Sequence, residues 1–322
     1  MKHYFNYLFA LALVMSMQGC SKDLVVTDEP NDPEKFEEVQ LRLTGEVAYM
    51  TPETRLDANG FEDGDAFGVY VSTKSDLQIS NNKADNKKFV YNGSTGVIEA
   101  SSGNDISWSS NSEKFNIYAY YPYISGVTNA NEIPFSIKTD QTSSDNYYGS
   151  DFLRATKTNV EKTTEAVELQ FKHLMSKISI SLTLDESFPE DEFSAAVENN
   201  KVELTIEGLI TDCTIDLEKE VSNSINPITI GNTKTSIKAN GSGKSYTAII
   251  PPQNANDVKF RLRIGDKYYS STLKSVNYAS GKEYSYNFIV KKTSGMSIKS
   301  TSISSWSSGG GSVDHDMKQE NN

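Results

Sequence analysis

The chain has 322 residues, 43 of them acidic and 31 basic, with a formal net charge of −12. That balance excludes a nucleic-acid binder, since phosphate recognition needs a basic patch. Two cysteines and three histidines are too few for a disulfide framework or a histidine-rich metal site.

The N-terminus sets the compartment. Lys2 is followed by an apolar stretch from Tyr4 to Met17 and then by Gly19-Cys20. A basic start, an apolar segment and a small residue form an export signal, too short to remain as a spanning helix. A cysteine directly after that glycine resembles the bacterial lipoprotein signal, in which the thiol is lipidated and becomes the mature N-terminus. The alternative is an ordinary secretory signal with an incidental cysteine. Residues 1–19 are therefore read as a lipoprotein signal peptide and Cys20 as the lipidation site. Ser21-Lys22-Asp23 resembles the signal that sends lipoproteins of Bacteroides-type bacteria to the outer leaflet, and it also reads as the start of a polar tether. Residues 20–36 form that tether. Pro30, Pro33 and a run of acids leave too little apolar content to offset the entropy of ordering.

From there the apolar period is two. Strands are predicted at Val39–Leu43, Phe67–Ser72, Lys87–Tyr91, Phe115–Tyr121, Val167–Phe171, Ser176–Leu184, Lys201–Glu207, Ser245–Ile250, Lys259–Ile264, Tyr268–Leu273, Tyr284–Val290 and Ser297–Ile303. Asn, Gly, Ser and Asp clusters between them supply turns. Only Glu190–Asn199 reads as a helix. Many short half-wet strands make an all-β chain of antiparallel sandwiches. Arg154 to Glu165, rich in Thr, Lys and Glu, is the weakest strand region and is taken as the boundary. The expected domains are 37–165 and 166–314, with a polar tail at 315–322.

Chemistry is scarce along this chain. Asp57 to Asp65 is the densest acidic loop. Hard oxygen ligands there could hold calcium, but Phe61 and Gly68 fall where an EF-hand needs ligands, so a solvated turn is the better reading. Trp108, Tyr118, Tyr120, Tyr121 and Tyr123 form either a sugar-stacking surface or, the favoured reading, core and cross-strand pairs. His173 is the one histidine near a core strand. A Ser–His–Asp triad on it lacks any Gly-x-Ser-x-Gly elbow, and a structural histidine is favoured. A glycosidase pair among the acids is invisible to spacing. Cys213 alternates with Ile215 and Leu217, as a buried small hydrophobe does. No enzyme, metal or cofactor is expected.

Several segments together resemble one family. Phe61-Glu62-Asp63-Gly64-Asp65-Ala66-Phe67-Gly68-Val69-Tyr70 is similar to a segment of the fimbrillin-like (type V pilin) proteins of Bacteroides-type bacteria. Tyr120-Tyr121-Pro122, Asp151-Phe152-Leu153, Phe171 to Ile178, Ile250-Pro251-Pro252-Gln253, Gly281-Lys282-Glu283-Tyr284 and Ile303-Ser304-Ser305-Trp306 follow in the family's order. The resemblance implies two tandem transthyretin-like β-sandwiches exported as a surface lipoprotein of the outer membrane. It also implies a place in a fimbrium, with other fimbrial subunits as partners and host or bacterial surface ligands as adhesion targets. In the family an Arg-specific protease cuts after the first strand, and an extended segment of another subunit replaces that strand. Arg55 stands in the matching place. The donor candidates are Ser297, Ile298, Ser300, Ser302, Ile303 and Trp306. The alternative is a non-polymerising surface lipoprotein that binds glycans or host proteins.

Overall fold

Segments of period two fold as strands in the computed structural model, which describes residues 36–47, 60–220 and 226–306. Its strands belong to the unit that begins at Glu38. In chain order its elements are β1 (Leu43–Val47), β2 (Ala66–Ser72), β3 (Ala84–Asn92), β4 (Val97–Ala100), β5 (Phe115–Tyr121), β6 (Ile133–Ser136), helix α1 (Ser144–Tyr148), β7 (Leu153–Val160) and β8 (Val167–His173). There follow β9 (Ser176–Leu184), helix α2 (Glu190–Glu198), β10 (Val202–Ile210), β11 (Asp212–Ile215), β12 (Ile228–Ile230), β13 (Lys234–Lys238), β14 (Asn240–Ser242), β15 (Ser245–Ile250), β16 (Gln253–Ile264), β17 (Lys267–Tyr278), β18 (Lys282–Lys291) and β19 (Gly295–Ser305).

Seven strands close a barrel in the order β1-β4-β3-β2-β5-β7-β8. Every neighbouring pair is antiparallel except β1 and β8, which run parallel and complete the closure. The expected bounds of the first strand are corrected. Its ladder begins at Leu43, while Val39 and Leu41 lie against the segment before β5: the Leu41 N–H donates to the Ile106 carbonyl at 2.7 Å, and the Trp108 N–H donates to Val39 at 3.2 Å. It is also not an edge strand, because β4 and β8 flank it.

The remaining strands form sheets ordered β13-β10-β16-β17, β14-β15-β9-β18-β19 and β12-β11-β6. β9 pairs parallel with β18. Helix α2 starts with Glu190, Asp191 and Glu192, whose charges suit the positive end of the helix, and it buries Phe193 and Ala196. Asn200, just beyond it, takes a positive φ of 54°, a conformation that asparagine tolerates at a helix end.

Two clusters of buried residues result. Phe67, Val69, Phe115, Ile117 and Tyr121 face the barrel interior, whereas Tyr70, Tyr118 and Tyr120 on the same strands join the other cluster. β2 and β5 are thus a wall buried on both sides, which is why they read as continuous apolar runs instead of alternating ones. β6, from the first half of the chain, pairs with β11 from the second.

The polar stretch placed as a linker is mostly β7, and β8, expected in the second domain, completes the barrel. The first core therefore runs past residue 165 to Phe171, and the other cluster resumes at Leu174. The polar composition of β7 comes from residues 156–160, half-buried or exposed, and Arg154 is buried in the same strand.

Candidate functional site

The slot filled by β1 comes first. Its five residues pair along β8, from Leu43 opposite Val167 to Val47 opposite Phe171, but share only Leu43 and Ile98 with β4. Leu43, Gly45 and Val47 point inward, and Thr44 and Glu46 outward. Outside the ladder, the Arg42 guanidinium donates to the Thr164 carbonyl at 2.6 Å, and the Gln170 amide donates to Glu46 Oε1 at 2.6 Å. Gly45 sits against the Phe171 ring: a Cβ there would lie 2.7 Å from Phe171 Cε2 and 3.2 Å from Ile98 Cδ1. Sequence reasoning missed Gly45. The available signal was a glycine inside a strand, which marks a close approach. Arg55 and Cys20 lie outside the described residues.

The donor candidates all fall at the chain's last strand. Ser297, Ile298, Ser300, Ser302 and Ile303 belong to β19, the edge of its sheet, zipped antiparallel to β18. Met296 is the one fully buried side chain in that strand, so its apolar grip is slight. Trp306 closes it. The Trp306 N–H donates to the Gly281 carbonyl at 2.8 Å, and its ring stacks on His173 with centroids 4.0 Å apart.

His173 in turn lies 2.8 Å from Asp151, Nδ1 to Oδ2, with both side chains buried. Its Nε2 and the second Asp151 oxygen lack hydrogen-bond partners among the described residues. The hydroxyls of Ser176 and Ser280 donate to the carbonyls of Ala279 and Leu174, both at 2.8 Å. Beside this stack a cleft of about 330 Å³ is lined by Arg154, Lys172, His173, Glu220 and Trp306 among others.

Residues 54–306 match the sequence family described as fimbrillin-like. The chain belongs to the fimbrillin-like family. Its fold is shared with a candidate cell adhesion protein of Bacteroides uniformis, at 18% identity and a TM-score of 0.63, with 87% of this chain and 100% of that one covered. A second candidate cell adhesion protein, from Bacteroides ovatus, aligns at 19% identity and a TM-score of 0.65, covering 84% of this chain and 99% of the other. No curated protein matches.

The segments that carry the fimbrillin resemblance meet in space. Tyr121 Oη donates to Asp65 Oδ1 at 3.1 Å, Phe61 packs 4.9 Å from Phe67 and 5.3 Å from Phe171, and Gly68 faces Tyr120 across the ladder. The described end of the acidic loop, residues 60–65, is braced: the Glu62 N–H donates to Asp65 Oδ2 at 2.9 Å, and the Gly93 N–H donates to Asp63 Oδ1 at 2.9 Å. Trp108, Tyr118, Tyr120 and Tyr121 are buried and Tyr123 is half-buried, so four of these five aromatics are core side chains. Cys213 is buried too, and desolvation followed by the Asp212 charge pushes its thiol up to about 12.

Proposed function

We propose that this fimbrillin-like chain is a fimbrial subunit, or an anchor or tip accessory protein, that assembles at the cell surface by protease-triggered strand exchange. The observation that carries the reading is β1, a five-residue strand that closes the barrel and lies on the N-terminal side of Arg55. Leu41, Leu43 and Val47 are buried, at roughly 1.5–3 kcal/mol each by transfer energies. The ladder hydrogen bonds add about 0.5–1.5 kcal/mol apiece. While the chain is intact that grip is intramolecular and the slot is shut. A cut after Arg55 leaves β1 held only by these contacts, so that an incoming strand competes for unpaired backbone groups and vacated pockets. The same reading takes the barrel and the remaining sheets as tandem transthyretin-like sandwiches, with Cys20 anchoring the protein to the outer membrane. Other fimbrial subunits are then the partners.

Two experiments test it. Treatment with a trypsin-like protease should convert the wild-type monomer into higher oligomers, while Arg55→Ala stays monomeric, with N-terminal sequencing to distinguish a cut after Arg55 from one after Arg42. Equal polymerisation of both would remove Arg55 as the switch, and a cut after Arg55 with no release of β1 would leave an anchored protein that does not polymerise. For the anchor, Cys20→Ala should move the protein from the membrane fraction to the soluble one. Retention in the membrane without lipid mass on the mature N-terminus would sink that part.

A further inference from the structure

The geometry of the β1 slot points to a selective acceptor: we infer that, if β1 is displaced as proposed above, its replacement comes from a different protein and not from the C-terminal segment of a second copy. The slot reads three inward positions. Leu43 and Val47 fill pockets at its two ends, and Gly45 occupies the middle, where a Cβ would come within 2.7 Å of the Phe171 ring edge. The constraint is one of space and not of backbone conformation, since Gly45 is absent from the positive-φ positions. Nor can the ring step aside. Phe171 is wholly buried, wedged 5.3 Å from Phe61 and 5.4 Å from Phe67. Interiors this close-packed transmit such a clash instead of absorbing it. The fitting pattern is therefore large aliphatic, any, glycine, any, large aliphatic.

That pattern reads the same in either strand direction, so it can be sought without knowing how a donor enters. Between Gly295 and Asn322 no three alternate residues supply it. Ile298, Ser300 and Ser302 lack the second large residue. Thr301, Ile303 and Ser305 put isoleucine where only glycine fits, and Val313, His315 and Met317 put an imidazole there. Outside β1 the chain carries the pattern once, at Ile206, Gly208 and Ile210, but these lie in β10, which is paired on both sides by β13 and β16; the occupant is therefore an extended segment of a partner protein with large aliphatic residues on either side of a glycine.

The inference rests on strand exchange, so it is tested both with and without cleavage. In the uncut chain, β1 is given the sequence of residues 298–302 by Leu43→Ile, Thr44→Lys, Gly45→Ser, Glu46→Thr and Val47→Ser. This variant should melt on the order of 10 °C or more below wild type, whereas Leu43→Ile with Val47→Ile, which keeps the pattern, should stay within a few degrees. An unchanged melting temperature in the first variant overturns the inference, whatever the fate of the cleavage reading. After a cut at Arg55, a labelled peptide of residues 41–49 should bind. Its Gly45→Val form should bind roughly tenfold to a hundredfold more weakly, and a peptide of residues 295–306 should not compete. Competition by the last peptide equal to that of the first also overturns it. Should no peptide enter because β1 never leaves, strand exchange fails, and the selectivity of the slot is decided by the uncut variants.

Discussion

Arg154→Ala is expected to be among the most destabilising single substitutions in the chain. Although it is an arginine on a strand, its side chain is only 4% exposed. Its Nε donates to the Leu217 carbonyl at 2.7 Å, Nη1 to Lys219 at 2.7 Å, and Nη2 to Glu218 at 3.2 Å, with Glu220 as ion-pair partner at 3.2 Å. Burial pulls the guanidinium below the usual arginine range, and the Glu220 carboxylate works against that shift. Truncation takes this fork away from three carbonyls and leaves the Leu217 carbonyl in a buried position, so the cost should be about 3–5 kcal/mol, as for removing one partner of a buried charged cluster. Removing the exposed partner instead, by Glu220→Gln, should cost under about 1 kcal/mol. Urea melts of the two variants make the comparison. Calorimetry of Arg154→Ala adds a test of the tandem reading, because Arg154 stands in the barrel and grips a segment whose Leu217 belongs to the other core. Two resolved transitions would support two units, and one would mean that the cores melt together. A loss below about 1 kcal/mol would show that water replaces the fork at no cost.

Gly68→Ala should be nearly as severe, though it adds one methyl group. Gly68 and Tyr120 are register partners on β2 and β5, and the tyrosine ring lies over the glycine. A Cβ at Gly68 would fall 2.0 Å from Tyr120 Cε1 and 2.3 Å from Cζ. The ring has nowhere to retreat: it stacks on Phe152 at 5.3 Å with 3° between planes, and its hydroxyl sits 2.8 Å from Asn86 Oδ1. Overpacking a core typically costs about 1–3 kcal/mol, and this contact belongs at the top of that range or above it. Equilibrium denaturation should show a lower midpoint, with near-UV circular dichroism reporting the displaced tyrosine. A change below about 0.5 kcal/mol would show that Tyr120 swings away freely.

These two substitutions mark what the sequence exposes and what it hides. Alternation located the half-wet strands well: β9 places Ile178, Ile180 and Leu182 inward, and β16 does the same with Phe260, Leu262 and Ile264. The helix at Glu190 was equally plain. The family segments were legible as an ordered set because they are parts of one packing problem, with Phe61, Phe67, Tyr121 and Phe171 sharing the barrel core. Arg154 was not legible. A buried arginine reads as a surface residue until the carbonyls it serves, more than sixty positions away, are known. The pairing of β1 with β8 was hidden for a related reason, since partners 124 residues apart in sequence leave no local periodicity. For the site itself, the sequence set the first strand at Val39–Leu43, ahead of the Leu43–Val47 ladder, and showed neither the glycine that shapes the slot nor the Asp151 and His173 pair beneath Trp306.

The parallel course of β1 and β8 has a mechanical meaning. In a parallel pair the start of one strand and the finish of the other lie at opposite ends of the ladder. Tension applied between the chain before Leu43 and the chain after His173 therefore slides the strands lengthwise instead of peeling them apart. All five paired positions share the pull at once. A strand seated in that slot with the same polarity resists force in shear, the direction in which a short ladder is hardest to break.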